Sequence, residues 1–330
     1  MKIICFGVRD VEKPIFELSN KNYNYDLTLT SELLTHDNID LIKGHEAVLL
    51  RANCAADKQN LDKMKEFGVK YLLTRTVGTN HIDLDYAKEL GFKMAYVPFY
   101  SPNSVSELAF STGIAMFRNI IYMYEKMANK DFTVDEKMFS KEVRNSTIGI
   151  IGTGRIGLEC AKAWKGMGAK IYGYDLYPRN DVSDLLEYKT LEEIFETCDL
   201  VSLHCPYIKG QNEHFINKDL FKHIKDQIII VNAARGELIN YEDLYEFMQN
   251  NKIKQVALDT LENESIVFFK KHQDNIPNDI YQKLFDLKPR VLFTPHLGSY
   301  TDQAVKDMVD ISFENLDSII KTGNSKNDIK

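Results

Sequence analysis

The sequence predicts an α/β protein built from two doubly wound, parallel-sheet units with a cleft between them. Three observations carry that prediction. Short Val/Ile/Leu-rich runs alternate with segments of helical period along almost the whole chain, the order expected for parallel strands joined by crossover helices. A glycine-rich turn, Gly152-Thr153-Gly154-Arg155-Ile156-Gly157, sits on one of those strand–helix junctions. The 330 residues suffice for two domains of ordinary size, each with its own core.

Taken in order, the first hundred residues hold the apolar runs "KIICFGV", "AVLLRAN", "KYLLTRT" and "KMAYVP", which read as strands of a smaller α/β unit. In "VPFYSPNSVSELAFSTGIAMFRNIIYMYEKM", Pro98 and Pro102 are expected to bar a helix before Asn103, and Ser104 with Glu107 has capping-box spacing. One long helix should follow. From Thr147 the runs "TIGIIG", "KIYGYD", "LVSLHC", "QIIIVNA", "KQVALDT" and "VLFTPH" recur as strands of the larger unit. Between two of them "TLEEIFETC" is amphipathic, and Thr190 and Glu193 have capping-box spacing. The tail "TDQAVKDMVDISFENLDSIIKTG" is helical by period.

Composition narrows the function. With 44% hydrophobic residues, 27% charged residues and a net charge of -7, the chain lacks the clustered Lys and Arg of a nucleic-acid-binding surface. No apolar run approaches the roughly 20 residues of a membrane helix. The start "MKIICFGVRD" reads as a buried strand and not as a signal peptide. Cys5, Cys54, Cys160, Cys198 and Cys205 are odd in number and form no C-x-x-C. Reduced thiols in a cytoplasmic protein are the expectation. His36, His45, His81, His214, His223 and His272 show no metal-ligand spacing, so no metal is expected.

Gly152, Gly154 and Gly157 have the G-x-G-x-x-G pattern that lets a backbone turn tightly, approach a pyrophosphate and pack helix on strand. The helix amides then present their positive dipole end to phosphate. Asp175 ends the next strand about 20 residues on, where a ribose diol would lie. A carboxylate there accepts from the 2′-hydroxyl and repels a 2′-phosphate, which predicts NAD over NADP. Arg179 stands nearby and reads as a solvated loop residue. The alternative is a tight turn with no ligand.

Three further stretches fall at the carboxyl ends of expected strands, where open α/β sheets place their sites. "NAARGEL", "LDTLENES" and "TPHLGSY" offer Arg235, Asp259, Glu264 and His296. A planar guanidinium suits the carboxylate of a 2-oxo acid and can polarise its carbonyl. An imidazole suits the proton, because it titrates near neutrality. A carboxylate suits the imidazole's other nitrogen, where it fixes the tautomer and favours the charged form. Taken singly, each residue also reads as an ordinary surface or strand-end group.

On these residues the chain resembles the D-2-hydroxyacid dehydrogenases over essentially its full length. The matching stretches are "GTGRIG" with Asp175, "HCPYIKG", "VNAARGELIN", "ALDTLENES", "TPHLGSYT", "RTVGTNHID" and "VPFYSPNSVSE". The resemblance implies that Arg235, Glu264 and His296 are catalytic. It implies cofactor contacts at Gly152, Gly154, Arg155, Ile156, Gly157, Asp175, His204, Pro206, Ala233, Ala234 and Asp259, although His204 also reads as a plain strand-end histidine. Substrate would be bound by the amides of Val77 and Gly78, by Tyr100 and by Arg51. It further implies a discontinuous substrate-binding domain (1–100 with 299–330), a Rossmann NAD-binding domain (101–298) and a homodimer through the NAD-binding domains. The chain departs from the family in having Ser104 and Ser106 where alanines are common. It also carries Ser299 where lactate-type members have a large aromatic, which suggests a roomier pocket.

Within the family the chain looks especially like the (R)-2-hydroxyglutarate and D-lactate dehydrogenase-like members. Arg51 directly follows the strand "AVLL" and would suit a second, distal carboxylate. A surface arginine paired with a helix carboxylate is the plainer alternative. The expected reaction is therefore NADH-dependent reduction of a 2-oxo acid, 2-oxoglutarate foremost, with D-lactate and (R)-2-hydroxyisocaproate as alternative products. The retained set of Arg235, Glu264 and His296 argues against an NAD-sensing corepressor-like binding protein, and a methyltransferase would leave Arg235 and His296 without roles. The crossings near Tyr100–Pro102 and Leu297–Ser299 are expected to act as a hinge.

Overall fold

A computed structural model describes residues 1–329 and divides the chain into two compact units. Unit 1 comprises Met1–Ser101 and the chain from Tyr300 on, and unit 2 comprises Pro102–Ser299.

Unit 1 runs β1 (Lys2–Cys5), α1 (Lys13–Asn20), β2 (Asp26–Leu29), β3 (Ala47–Leu50), α2 (Lys58–Glu66), β4 (Tyr71–Thr74), α3 (Leu84–Glu89) and β5 (Lys93–Ala95). Its strands form one parallel sheet in the order β2-β1-β3-β4-β5. The chain leaves β1 towards β2 on one side and continues through β3 on the other. The carboxyl ends of β1 and β3 thus form the point where strand order reverses, the usual ligand position of such sheets. β3 is buried on every residue, which explains why its run of Ala, Val and Leu does not alternate. β2 is an edge strand with alternating exposure, and its sequence "DLTL" lacks the apolar run that marks the others.

Unit 2 begins with α4 (Pro102–Phe117) and α5 (Ile120–Ala128). It continues through β6 (Thr147–Ile151), α6 (Arg155–Gly166), β7 (Lys170–Tyr174), β8 (Glu187–Tyr188), α7 (Leu191–Thr197), β9 (Leu200–Leu203), α8 (Lys218–Phe221) and β10 (Ile228–Asn232). It ends with α9 (Tyr241–Gln249), β11 (Ile253–Leu258), α10 (Asp279–Phe285) and β12 (Val291–Phe293). The seven strands are parallel in the order β12-β11-β10-β9-β6-β7-β8. The Thr190–Glu193 capping box forms as the spacing predicts and opens α7.

Three local expectations are corrected. α4 starts at Pro102 itself, because the first helical position needs no N–H and proline's φ suits it. Ser104 therefore lies inside the first turn, and its hydroxyl donates to Gly298 O at 2.6 Å. The single long helix is broken at Asn119, whose φ of 55° is left-handed. Asn119 is fixed there by donating to Phe139 O and accepting from the buried Gln255 amide.

α11 (Asp302–Thr322) returns to unit 1, opened by the Thr301 cap and ended at Gly323. Its Phe313 is 1% exposed and meets Phe16, Tyr23 and Tyr25 at ring-centroid distances of 6.2, 5.8 and 5.7 Å. Asn315 donates to Tyr96 O, which adds a polar tie beside β5. Among the described residues no helix is long and apolar enough to cross a membrane.

This packing generates a prediction, because the only tryptophan, Trp164, is fully buried in unit 2. Phe313→Ala should destabilise unit 1 by about 3–5 kcal/mol. Urea unfolding followed by circular dichroism should then gain an early phase that Trp164 emission does not report. Coincident early transitions in both signals would show instead that the units unfold as one.

Candidate active site

In unit 2 the glycine turn joins β6 to α6. Gly152 has a φ of +93°, and a Cβ there would stand 2.4 Å from Cys205 N. A Cβ on Gly157 would stand 1.9 Å from Gly152 O, so helix and turn touch backbone to backbone. Gly154 is the N-cap of α6, is exposed, and has no atom within 4 Å of where a Cβ would be. Arg155 is exposed beside it and Ile156 is half-buried. The turn is closed where it must pack and open where a pyrophosphate must approach.

Asp175 follows β7 directly. Its Oδ2 accepts from Thr153 N at 2.7 Å and Thr153 Oγ1 at 3.2 Å, and its Oδ1 accepts from Tyr177 N at 3.0 Å. The carboxylate is therefore held over the glycine turn. Arg179, the cation that could favour a 2′-phosphate, is paired with Asp181 at 2.6 Å. A hollow of about 400 Å³ adjoins Asp175, lined in part by Tyr174, Pro178, Tyr188 and Leu191. These residues fit the adenosine half of NAD.

His204 ends β9 with its N–H on Ile151 O, and its Nε2 lies 2.9 Å from Ser202 Oγ. Its Nδ1 is buried without a hydrogen-bond partner. Burial pushes the ring's pKa down to about 4, so it is neutral at pH 7. Pro206 is exposed beside it, and Ala233 and the buried Ala234 follow β10.

The groups singled out for catalysis are held on the carboxyl ends of β10, β11 and β12. Asp259 follows β11, is 4% exposed, and gathers its neighbours around one carboxylate. Oδ1 accepts from Thr294 Oγ1 at 2.6 Å and Leu297 N at 2.9 Å, and Oδ2 accepts from Gly298 N at 3.0 Å. Burial raises its pKa, against the lowering effect of those bonds. Gly298, within the Leu297–Ser299 crossing, donates its N–H to Asp259 Oδ2 and accepts from Ser104 Oγ.

His296 sits within that loop at a φ of 51°, its N–H on Asp259 O at 2.9 Å. Its Nδ1 lies 2.6 Å from Glu264 Oε1. Glu264 opens a short 3-10 turn after Asn263, itself left-handed. The ring is about one-third exposed, leaving Nε2 as the nitrogen not engaged by Glu264. Arg235 is exposed after β10 and donates to Ala234 O at 2.7 Å; Asn232 fixes its turn by accepting from Ala234 N and donating to Arg235 O. No carboxylate pairs with Arg235 among the described residues.

Unit 1 holds the remaining singled-out residues. Val77 and Gly78 are exposed after β4, and their amides make no hydrogen bond among the described residues. Tyr100 is half-buried against the core that contains α11. Arg51 follows β3, and its carbonyl accepts from Cys54 N at 3.2 Å; among the described residues no helix carboxylate forms an ion pair with its guanidinium. Its surroundings include residues that the sequence did not single out: Arg9, Glu12 and Arg75. Arg75 follows the apolar run "YLLT" as directly as Arg51 follows "AVLL", so the same signal was present there. Thr294 was likewise missed.

The described residues contain no cluster of metal-ligating side chains. Residues 110–298 match the family model "D-isomer specific 2-hydroxyacid dehydrogenase, NAD binding domain". An aromatic 2-oxoacid reductase of Clostridium sporogenes is 37% identical over 328 residues, covering 99% of this chain and 98% of its own length. A D-2-hydroxyacid dehydrogenase (NAD(+)) of Clostridioides difficile is 35% identical over 99% of both chains. The crystal structure of a D-lactate dehydrogenase from Treponema pallidum superposes with a TM-score of 0.91 at 31% identity, covering 100% of both chains. The chain therefore belongs to the D-isomer specific 2-hydroxyacid dehydrogenases, NAD-dependent oxidoreductases that act on 2-hydroxy acids.

Proposed function

We propose that the enzyme reduces a 2-oxo dicarboxylic acid, 2-oxoglutarate foremost, to the (R)-2-hydroxy acid. NADH, when bound, supplies the hydride that adds to C2. The carbonyl oxygen takes a proton from His296 Nε2, giving the hydroxyl, and water later restores that proton. The Glu264 carboxylate on Nδ1 keeps the ring oriented and leaves Nε2 as the nitrogen that donates. Arg235, with no carboxylate of its own, binds the C1 carboxylate and draws electron density from the adjacent carbonyl. The free amides of Val77 and Gly78 add donors for the same carboxylate, and Tyr100 lines the pocket. Asp259 holds the loop of His296 and meets the nicotinamide end. Asp175, Gly152, Gly154, Arg155, Ile156, Gly157, His204, Pro206, Ala233 and Ala234 hold the rest of the cofactor.

The dicarboxylate reading rests on one observation: Arg51 is largely buried at the switch point of unit 1, and among the described residues no carboxylate forms an ion pair with it. An aromatic 2-oxo acid or the lactate pair, as the relatives' names would suggest, leaves that cation unmatched. A second copy of the chain completes the proposal. Ile120, Tyr124, Met127, Phe132, Val134 and Phe139 of the NAD-binding unit expose a run of apolar surface, and we assign it to a homodimer contact. The five free cysteines, four of them buried, suit a reducing cytoplasm.

Three outcomes follow. Sedimentation velocity should return about twice the 38.1 kDa of the chain, and a particle of one chain mass would remove the dimer. His296→Gln should lower kcat by ~100- to 10,000-fold, the usual range for a general acid, while NADH binding changes little; a loss under about tenfold would remove that role. Arg51→Gln should lower kcat/KM for 2-oxoglutarate about tenfold or more, since a charged hydrogen bond is worth ~1.5–3 kcal/mol. It should leave 2-oxoisocaproate nearly unchanged, and equal losses on both acids would count against a dicarboxylate substrate.

A further inference from the structure

The carboxyl end of β1 carries a second cation that the reaction so far leaves without a role. The turn after β1 is fixed by its backbone, with Phe6 N on Leu49 O, Gly7 N on Glu32 O and Val8 N on Thr30 O. Arg9 comes next, and its N–H donates to Glu12 Oε2 at 2.7 Å. Its guanidinium carbon lies 4.2 Å from the centroid of the Tyr300 ring, and its Nη1 is buried with no hydrogen-bond partner. Stacking on a ring uses the plane of a guanidinium and leaves its N–H edge for an acceptor.

The only carboxylate of this cluster among the described residues, Glu12, is already taken. Glu12 and Arg75 are each 2% exposed. Arg75 meets both Glu12 oxygens, at 3.2 and 3.3 Å, and also donates to Gly7 O at 2.8 Å. Arg51 lies against the same turn, since a Cβ on Gly7 would stand 3.0 Å from its Cδ. Burial, then the charges of Arg75 and Arg9, push Arg51 down to about 10, where it is still cationic at neutral pH. The guanidiniums of Arg75 and Arg51 thus face the one carboxylate of Glu12, and the charge of Arg9 falls on Arg51. Partly buried charge left uncompensated is costly, so a missing anion is the natural complement.

We propose that Arg9 and Arg51 together clamp the distal carboxylate of the substrate, which makes Arg9 a second specificity-determining residue. The Glu12–Arg75 pair positions the clamp without touching substrate. This inference rests on the dicarboxylate reading above, and its test separates the two.

The test compares kcat/KM for 2-oxoglutarate and 2-oxoisocaproate in the unsubstituted enzyme and in Arg9→Gln, Arg9→Lys, Arg51→Gln and the double Arg9→Gln/Arg51→Gln variant. Arg9→Gln should lose about tenfold on 2-oxoglutarate, chiefly in KM, and less than about threefold on 2-oxoisocaproate. Arg9→Lys should recover part of the loss. The double variant should lose less than the product of the single losses, because both residues hold one group. If Arg51→Gln is selective and Arg9→Gln is not, Arg9 is a structural stack on Tyr300 and only this inference falls. If neither is selective, the dicarboxylate reading falls with it. Should Arg9→Gln fail to fold, phenylglyoxal labelling of the unsubstituted enzyme, read peptide by peptide by mass spectrometry, decides the matter. With NADH bound, 2-oxoglutarate should protect Arg9 and Arg51 and 2-oxoisocaproate should not; an Arg9 labelling rate indifferent to 2-oxoglutarate overturns the proposal.

Discussion

The carboxylate of Asp259 fixes more of unit 2 than any other polar group described above. It stands at the end of β11, nearly closed off from solvent, and accepts from a side chain and two backbone amides of the segment that follows β12. Its own carbonyl takes the N–H of His296. A left-handed, non-glycine residue such as His296 is held against a conformational cost of order 1–3 kcal/mol, and it persists only where surrounding bonds over-determine it. Asp259 supplies those bonds. Glu264 then sets the ring orientation through a separate contact. Backbone placement and ring orientation come from different carboxylates.

The two units hold their cations on different principles. Arg235 is exposed and kept in place through its own turn, so its guanidinium is oriented without being buried. Arg51 and Arg9 are partly withdrawn from water, and the acid that might have neutralised them is bound to Arg75. A buried ion pair such as Glu12–Arg75 is weak support for stability by itself, because desolvation offsets much of its attraction. Its effect here is local. It takes Glu12 out of competition and anchors the turn through Gly7 O.

Much of this was legible from residue order, and what was missed has physical reasons. Strands that are buried on both faces announce themselves as apolar runs, and the glycine turn needs its spacing for close backbone approach. Edge strands such as β2, with Asp and Thr alternating with Leu, lack that signal and went unread. Ser104 and Glu107 had the spacing of a cap, yet proline's fitness for the first helical position moved the helix start to Pro102. The break at Asn119 depends on Gln255, which is distant in sequence. His296 and Glu264 could be paired from chemistry alone. The claim of Arg75 on Glu12 could not, because the two lie 63 residues apart and only the sheet brings them together.

Selectivity in such a site would arise as much from refusal as from attraction. A substrate with one carboxylate would leave Arg9 and Arg51 desolvated and unmatched, and the cost of an unpaired buried polar group generally exceeds the gain from pairing it. Sites built to hydrogen-bond a substrate group reject the analogue that lacks it far more strongly than apolar pockets reject a missing methylene. On the proposed dicarboxylate reading, the charge of unit 1 would do that sorting. Holding that charge ready requires that no side chain of the protein neutralise it. Binding Glu12 to Arg75 meets that requirement without removing a carboxylate the turn needs for its own hydrogen bond to Arg9 N.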